Sequence, residues 1–410
     1  MVLSVQLHKR LLFSSARIKI KMTIFNKSMN GMFSGALLFM SATGLGMMSQ
    51  NTNASQYVYV SNAKDSTITR YLLDNKQVDG KQIKLVPLGS TKTGNNVMPL
   101  SVSPDKSHLY ASIRSEPFRI ISYRIDPASG DLAEEGEANL PSSMANIDTD
   151  KSGRFLFAAS YGGNLISVSP INKTGVVTSG AQQVLNTGRN AHAIHASPDN
   201  RFVFSSSLGD DQIMQYRFDS QTGKLTPNTP AAVKTEQYAG PRHFVFSKDG
   251  QYVYVLGELS GTVTTYAFDI KTGLLTLKGE SEGVPAKALS LENGVPPSMK
   301  ASNDHPKVWA ADMHLSADGR FLYVSERTKS IIATLSIDQN TGLPSYQKMT
   351  QVEQQPRGFA ISNDGQFMVV SGEKDANLGL YHINEKTGEL TKIDEVPTGS
   401  GANWVEIVDF

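Results

Sequence analysis

One strand–turn unit occurs seven times in this chain, and it limits the fold more than any other feature. Its apolar strand appears as Tyr57–Val60, Leu109–Ser112, Phe155–Ala158, Phe202–Ser205, Tyr252–Val255, Phe321–Val324 and Phe367–Val370. In six of the seven it follows a short turn: Pro104-Asp105-Lys106, Lys151-Ser152-Gly153, Pro198-Asp199-Asn200, Lys248-Asp249-Gly250, Ala317-Asp318-Gly319 and Asn363-Asp364-Gly365. A later turn, Asp-x-x-Thr-Gly-x-Leu in its fullest form, places glycines at 130, 175, 223, 273, 342 and 388, spaced 45, 48, 50, 69 and 46 residues apart. Units of four strands at about 40–50 residues predict an all-β seven-bladed β-propeller, not a sandwich or a βαβ array. The long fourth spacing, 69 residues, predicts an insertion at about 279–306, placed as a loop beside the site. Asn403–Val408 alternates like a strand but has no downstream partner, and the Tyr57 unit has no strand before it. Pairing the two closes the ring and removes its exposed edges, giving a single domain over 55–410.

The 410 residues also carry an uneven charge. Six of the 39 Lys and Arg lie in residues 1–54, which hold no Asp or Glu, so residues 55–410 carry 33 basic against 38 acidic side chains. A mildly acidic body without a basic stripe disfavours nucleic-acid binding. The basic start, the apolar run Gly31–Met48 and the small residues ending at Ala54 read as a secretory leader, 1–54, cleaved after Ala54. That reading places the protein in the periplasm or outside the cell, with no stable membrane insertion after cleavage. A retained anchor is the alternative, and translation from Met22 or Met29 would give a leader of ordinary length. The absence of cysteine removes thiolate catalysis, disulfides and Cys-based zinc sites.

The densest chemistry falls in Gly240–Gly273. Its first hairpin turns near residue 250, so Arg242 and Glu258, eight residues to either side, come level at one end of the sheet. Applying the same centring to every unit sends Asn62, Arg114, Asn146, Tyr161, His192, Arg242, Glu258, Asp312, Arg327, Arg357 and Glu373 to one mouth of the channel. Taken singly, an Arg–Glu pair reads as a salt bridge and a lone histidine as a satisfied polar residue. Converging arginines read as an anion site, and a histidine among them suits proton transfer near neutral pH. His195 falls further down the inner strand as a channel-lining residue, and Asp312 with His314 reads as a structural pair. No metal site, cofactor motif, P-loop or nucleophile elbow is found.

The segments Thr187–Arg201 (with AHAIHASPDNR), Gly240–Leu259, Trp309–Thr328 (WAADMHLSADGRFLYVSERT) and Gln355–Gly358 (QPRG) resemble the bacterial seven-bladed-propeller 6-phosphogluconolactonases and the related fungal carboxymuconate lactonising enzymes. The similarity runs from about Tyr57 to Val408. It implies a small anionic lactone as substrate and no cofactor or metal. It also implies a catalytic set of His192, Arg242, Glu258 and Arg327, with Arg357, Asp312 and Tyr161 lining the mouth beside Asn146. A lactone hydrolase is the expected activity; a muconate-type cycloisomerase and a non-catalytic binding propeller are the alternatives. An exported chain departs from the cytoplasmic setting of the phosphogluconolactonases, so export favours an unphosphorylated, gluconolactone-type substrate. Oligomeric state is not readable.

Overall fold

In the computed structural model, which describes residues 55–74, 83–300 and 304–410, the strands form seven four-stranded antiparallel sheets. The proposed leader, 1–54, lies outside the described residues. Each blade runs outward in chain order, except the first, whose inner strand is the C-terminal Ala402–Asp409. That strand pairs with Gln56–Asn62 through Gln56↔Asp409 to Ser61↔Trp404, so the ring closes as the repeat count requires. Among the described residues the only helix is a single 3₁₀ turn at Leu208–Asp210.

The recurrent turns have specific chemistry. At the inner hairpins Ser197, Ser247, Ser316 and Ser362 each donate through Oγ to an aspartate two residues on, at 2.5–2.7 Å. The same Oγ accepts from a backbone N–H five residues on, Phe202 and Phe321 among them, at 3.0 Å. The outer turns need glycine for two reasons. Gly273 has φ +73°, and a Cβ there would lie 2.0 Å from the Phe202 ring of the preceding blade. The core is divided among the seams between blades, one of which packs Tyr254 and Val263 against Leu322, Val324 and Ile331.

The inner strands are not regular where they start. In blade 4 (Ala191–Lys234), Ala191 pairs with Ser207 and Ile194 with Ser205, so His192 and Ala193 together face Ser206. Blade 5 (Pro241–Glu282) bulges at Arg242 and His243, and blade 6 (Ala310–Gln351) at Ala311 and Asp312. Blades 2 and 7 shift at Val97/Leu100 and Pro356/Gly358. A bulge loses ladder bonds. Serines on the second strand replace some of them: Ser206 Oγ accepts from Ala193 N–H at 3.0 Å and donates to Arg242 O, and Ser325 Oγ accepts from Asp312 N–H at 2.9 Å.

The outer strand of blade 5 runs to Glu282, so Gly279–Glu282 belong to that blade and the segment between blades 5 and 6 is 283–309. It is bonded onto the turn that follows Glu258. Val284 N–H donates to Gly261 O, Gly294 N–H to Leu259 O, and Ala310 N–H to Glu258 O at 3.0 Å. Its own Val284, Leu291 and Val308 are buried in the seam with Tyr254 and Val263.

Candidate active site

The bulged ends of the inner strands bring a histidine and a cluster of arginines together at one mouth of the channel. Arg242, second in its strand, is 1% exposed, a position an arginine tolerates only when its charge is matched. Its Nε donates to Glu258 Oε2 at 2.8 Å and its Nη1 to Ala311 O. Arg327, just past the second strand of blade 6, reaches the same Glu258 oxygen from Nη2 at 3.1 Å, and also donates to the carbonyls of Trp309 and Ala310. Its guanidinium lies 3.8 Å from the Trp309 ring centroid. One carboxylate thus joins arginines from two blades. Nη2 of Arg242 and Nη1 of Arg327 are among the N–H groups these bonds leave over.

Arg357 and Glu373 form a second pair at 3.0 Å, nearer solvent, with Gln355 Nε2 donating to the other Glu373 oxygen at 2.8 Å. Arg114 Nε donates to Ser143 Oγ at 2.9 Å and has no carboxylate of its own. Four arginines therefore face two glutamates. Burial alone would push Glu258 up, but Arg327 and Arg242 outweigh it and hold the carboxyl below its ordinary range. Burial pulls Arg327 down to about 9 and Arg242 to about 10, with Glu258 opposing, so both remain cationic at neutral pH.

His192 lies beside them and is 4% exposed. Its Nδ1 is buried and has no hydrogen-bond partner. Burial, then repulsion from Arg242 and His243, holds the ring well below the ordinary imidazole range, so it is neutral. Tyr161 meets it edge-on, ring centroids 5.9 Å apart. Burial and the nearby Glu258 raise the Tyr161 phenol to about 12, leaving it protonated.

Asn146 and Asp312 are held by hydrogen bonds from their own and neighbouring blades. Asn146 Oδ1 accepts from Ile194 N–H of the next blade at 2.9 Å. Asp312 takes four donors: His243 Nδ1 at 2.7 Å and Met313 N–H at 2.9 Å on Oδ1, then His314 Nε2 at 3.2 Å and Phe359 N–H at 3.3 Å on Oδ2. Asn62 bonds Thr67 and Thr69. Below this layer a cavity of about 510 Å³ opens along the channel, lined by His195, Asp148, His314, Glu406 and Lys248 among others.

Two site neighbours escape the sequence reading. His243 packs against His192 with centroids 5.3 Å apart, although strict alternation turns it away once Arg242 faces the mouth. Trp309 lies over Arg327 at the end of the insertion. The available signal for His243 was the run Pro241-Arg242-His243, a polar pair where an inner strand should alternate. Among the described residues no cluster of three or more His, Asp or Glu is disposed to hold a metal ion.

This arrangement can bind an anion, stabilise a developing oxyanion and accept a proton. Comparison with known proteins shows the family. The family model "Lactonase, 7-bladed beta-propeller" matches residues 57–407. The chain is 38% identical over 354 residues to a 6-phosphogluconolactonase of Serratia proteamaculans, covering 86% of this chain and 99% of the relative. It is 35% identical over 353 residues to a 6-phosphogluconolactonase of Pectobacterium carotovorum, with 86% and 98% covered. Among solved structures it resembles a periplasmic gluconolactonase of Pseudomonas aeruginosa, with TM-score 0.73 and 26% identity over 87% of this chain and 99% of that one.

Proposed function

The chain belongs to the seven-bladed β-propeller lactonase family and is a lactone hydrolase, and from that premise we propose that the arginine-lined mouth opens a sugar-acid lactone with His192 as proton acceptor. The observation that carries this is a neutral, buried imidazole with an unpartnered Nδ1, set among four arginines and only two glutamates. The surplus of positive charge favours a ligand that is anionic or becomes so.

In this reading water adds to the lactone carbonyl carbon as His192 takes its proton. Arg242 and Arg327 meet the developing oxyanion with the N–H groups that Glu258 and the backbone carbonyls leave over. As the ring C–O bond breaks, the proton passes to the departing ring oxygen, and the product is the hydroxy acid. Glu258 holds the two guanidinium groups in place. Arg357, with Tyr161, binds the substrate from the solvent side. Asn146 and Asp312 act by fixing the layer beneath it.

The basic, then apolar, residues 1–54 support a cleaved leader ahead of a catalytic domain over 55–410. Export would make an unphosphorylated, gluconolactone-type lactone the physiological substrate. The 6-phosphogluconolactonase relatives support the phosphorylated lactone for a chain that stays in the cytoplasm. Among the described residues no helix is long and apolar enough to cross a membrane.

The test is acid release in a pH-stat, with fresh gluconolactone and 6-phosphogluconolactone each corrected for spontaneous opening. Acceleration of gluconolactone alone is expected of an exported sugar lactonase. Acceleration of the phosphorylated lactone alone would overturn that choice of substrate and leave the chemistry intact. A folded protein that accelerates neither would overturn the assignment of a sugar lactone.

A further inference from the structure

His243 is a buried titratable group beside His192 that the mechanism above leaves unused. It is 7% exposed, and its Nδ1 lies 2.7 Å from Asp312 Oδ1. With four donors directed at it, Asp312 is an ionised acceptor, so His243 must donate from Nδ1 and carry its lone pair on Nε2. That Nε2 is buried and has no hydrogen-bond partner, as is true of His192 Nδ1. A buried polar atom left unpaired costs about 1–3 kcal/mol. Here two occur on rings that pack edge-on against each other, centroids 5.3 Å apart. On its other side His243 packs edge-on against Trp404 at 5.8 Å, which fixes the ring further.

We infer that His243, oriented by Asp312, is the proton-sharing partner of His192, and that the pair hands the proton released by lactone opening to the lower half of the channel. This rests on the assignment of His192 proposed above. Hydrolysis consumes one water. Its oxygen bonds to the carbonyl carbon while a proton moves to the histidine pair, and that proton returns to the ring oxygen as the C–O bond breaks. The carboxylic acid so formed ionises near neutral pH, and this second proton has to leave a mouth crowded with arginines.

His243 lines the cavity beneath the mouth, where His195 and His314 offer acceptors. Their Asp148 and Asp312 partners, at 2.7 and 3.2 Å, occupy one ring nitrogen each. Facing His243 are Arg242 on its own strand, His192 and His195 from blade 4, and Asp312 from blade 6, with His314 behind it. The closing strand contributes Trp404 and, further down the cavity, Glu406. Beside it the mouth offers cations and no proton acceptor other than His192, Glu258 and Glu373; the cavity adds His195, His314 and Glu406.

The test is His243→Gln in the full chain, assayed on whichever lactone the wild type opens. Glutamine can still donate to Asp312 but cannot take a proton. The expected result is a fall in kcat of about 100-fold, the lower end for general acid–base groups, with KM nearly unchanged. The acidic limb of kcat/KM should move to higher pH, because His192 loses a repelling neighbour. A folded His243→Gln enzyme with wild-type kcat and pH profile, beside an inactive His192→Gln, would overturn this inference alone. Inactivity of the wild type on every lactone would overturn the reading beneath it. Should the glutamine variant not fold, His243→Ala opens a hole onto the cavity that free imidazole can enter. Rescue of turnover that follows the free-base fraction supports proton sharing; a restored melting temperature without turnover overturns it.

Discussion

The two ends of the channel are built from the same inner strands and differ in how their charges are satisfied. Glu258, at the upper mouth, and Glu406, in the lower cavity, are comparably recessed carboxylates whose pKa values move in opposite directions. Burial acts on both. At Glu258 the arginines of two blades outweigh it, whereas Glu406 has only Trp404 Nε1, donating at 2.9 Å, and a distant His314, so it is pushed up to about 7. The upper end keeps a surplus of positive charge. The lower end pairs its groups locally, His195 with Asp148 and His314 with Asp312. The structural source of the difference is the bulge, which brings two successive side chains of one strand to the channel at the top, while regular pairing below brings every second one. A chemically active end can therefore be made from a repeat whose other half remains ordinary.

The strongest way to break this comparison is to exchange the two histidines of blade 4. His192→Gln should lower kcat by about 10²–10⁴-fold in a protein with unchanged circular dichroism, whereas His195→Gln, which leaves His314 as an acceptor in the cavity, should leave kcat within about twofold. Comparable losses from both would mean that the ends do not divide the chemistry as described. The carboxylates give a second contrast. Glu258→Gln strands two buried guanidinium groups and should cost about 3–5 kcal/mol of stability in urea unfolding at pH 7. Glu406→Gln, which removes a group already partly protonated there, should cost under about 1 kcal/mol.

Acid should weaken the upper layer through its neutral histidines. Burial and Arg242 lower His243 to about 4 in the folded protein, against 6.5 for an ordinary imidazole. Between those values the unfolded chain binds a proton that the folded one does not, so stability should fall as pH drops from about 6.5 to about 4 and then level off for this group. His192, shifted the same way, adds to the loss. The full contribution of His243 is on the order of 3 kcal/mol; a melting temperature flat over that interval in wild type would contradict it. The smallest effect concerns substrate alone. Arg357→Met should raise KM for an anionic lactone about tenfold, equivalent to about 1.4 kcal/mol, with kcat retained, while Lys248→Met in the lower cavity should leave KM unchanged.

Much of this was legible in the chain. Seven strand–turn copies named the fold, and the unpaired Asn403–Val408 located the closing strand, because an apolar alternating segment must find an edge. Centring the Lys248-Asp249-Gly250 hairpin placed Arg242 beside Glu258, since antiparallel pairing makes equal distances from a turn meet. The same arithmetic failed for His243, because a bulge adds a residue to one strand only, and the polar pair Arg242-His243 that marks it here says nothing of which way the second side chain turns. It was also silent on partners: register counts Asn146 and Asp312 as mouth residues, and their hydrogen bonds to Ile194 and Phe359 of neighbouring blades follow only from how the blades pack.

What the sequence determined by itself was the repeat, its closure and the end of the channel at which the arginines gather, all of which follow from local periodicity and turn chemistry. What only the tertiary structure decided was which charges neutralise one another and which nitrogens are left bare. Those depend on contacts between blades some 50–70 residues apart in the chain, such as Arg242 to Ala311 and His243 to Asp312, each 69 residues apart. Burial there multiplies the effect of every partner gained or missing.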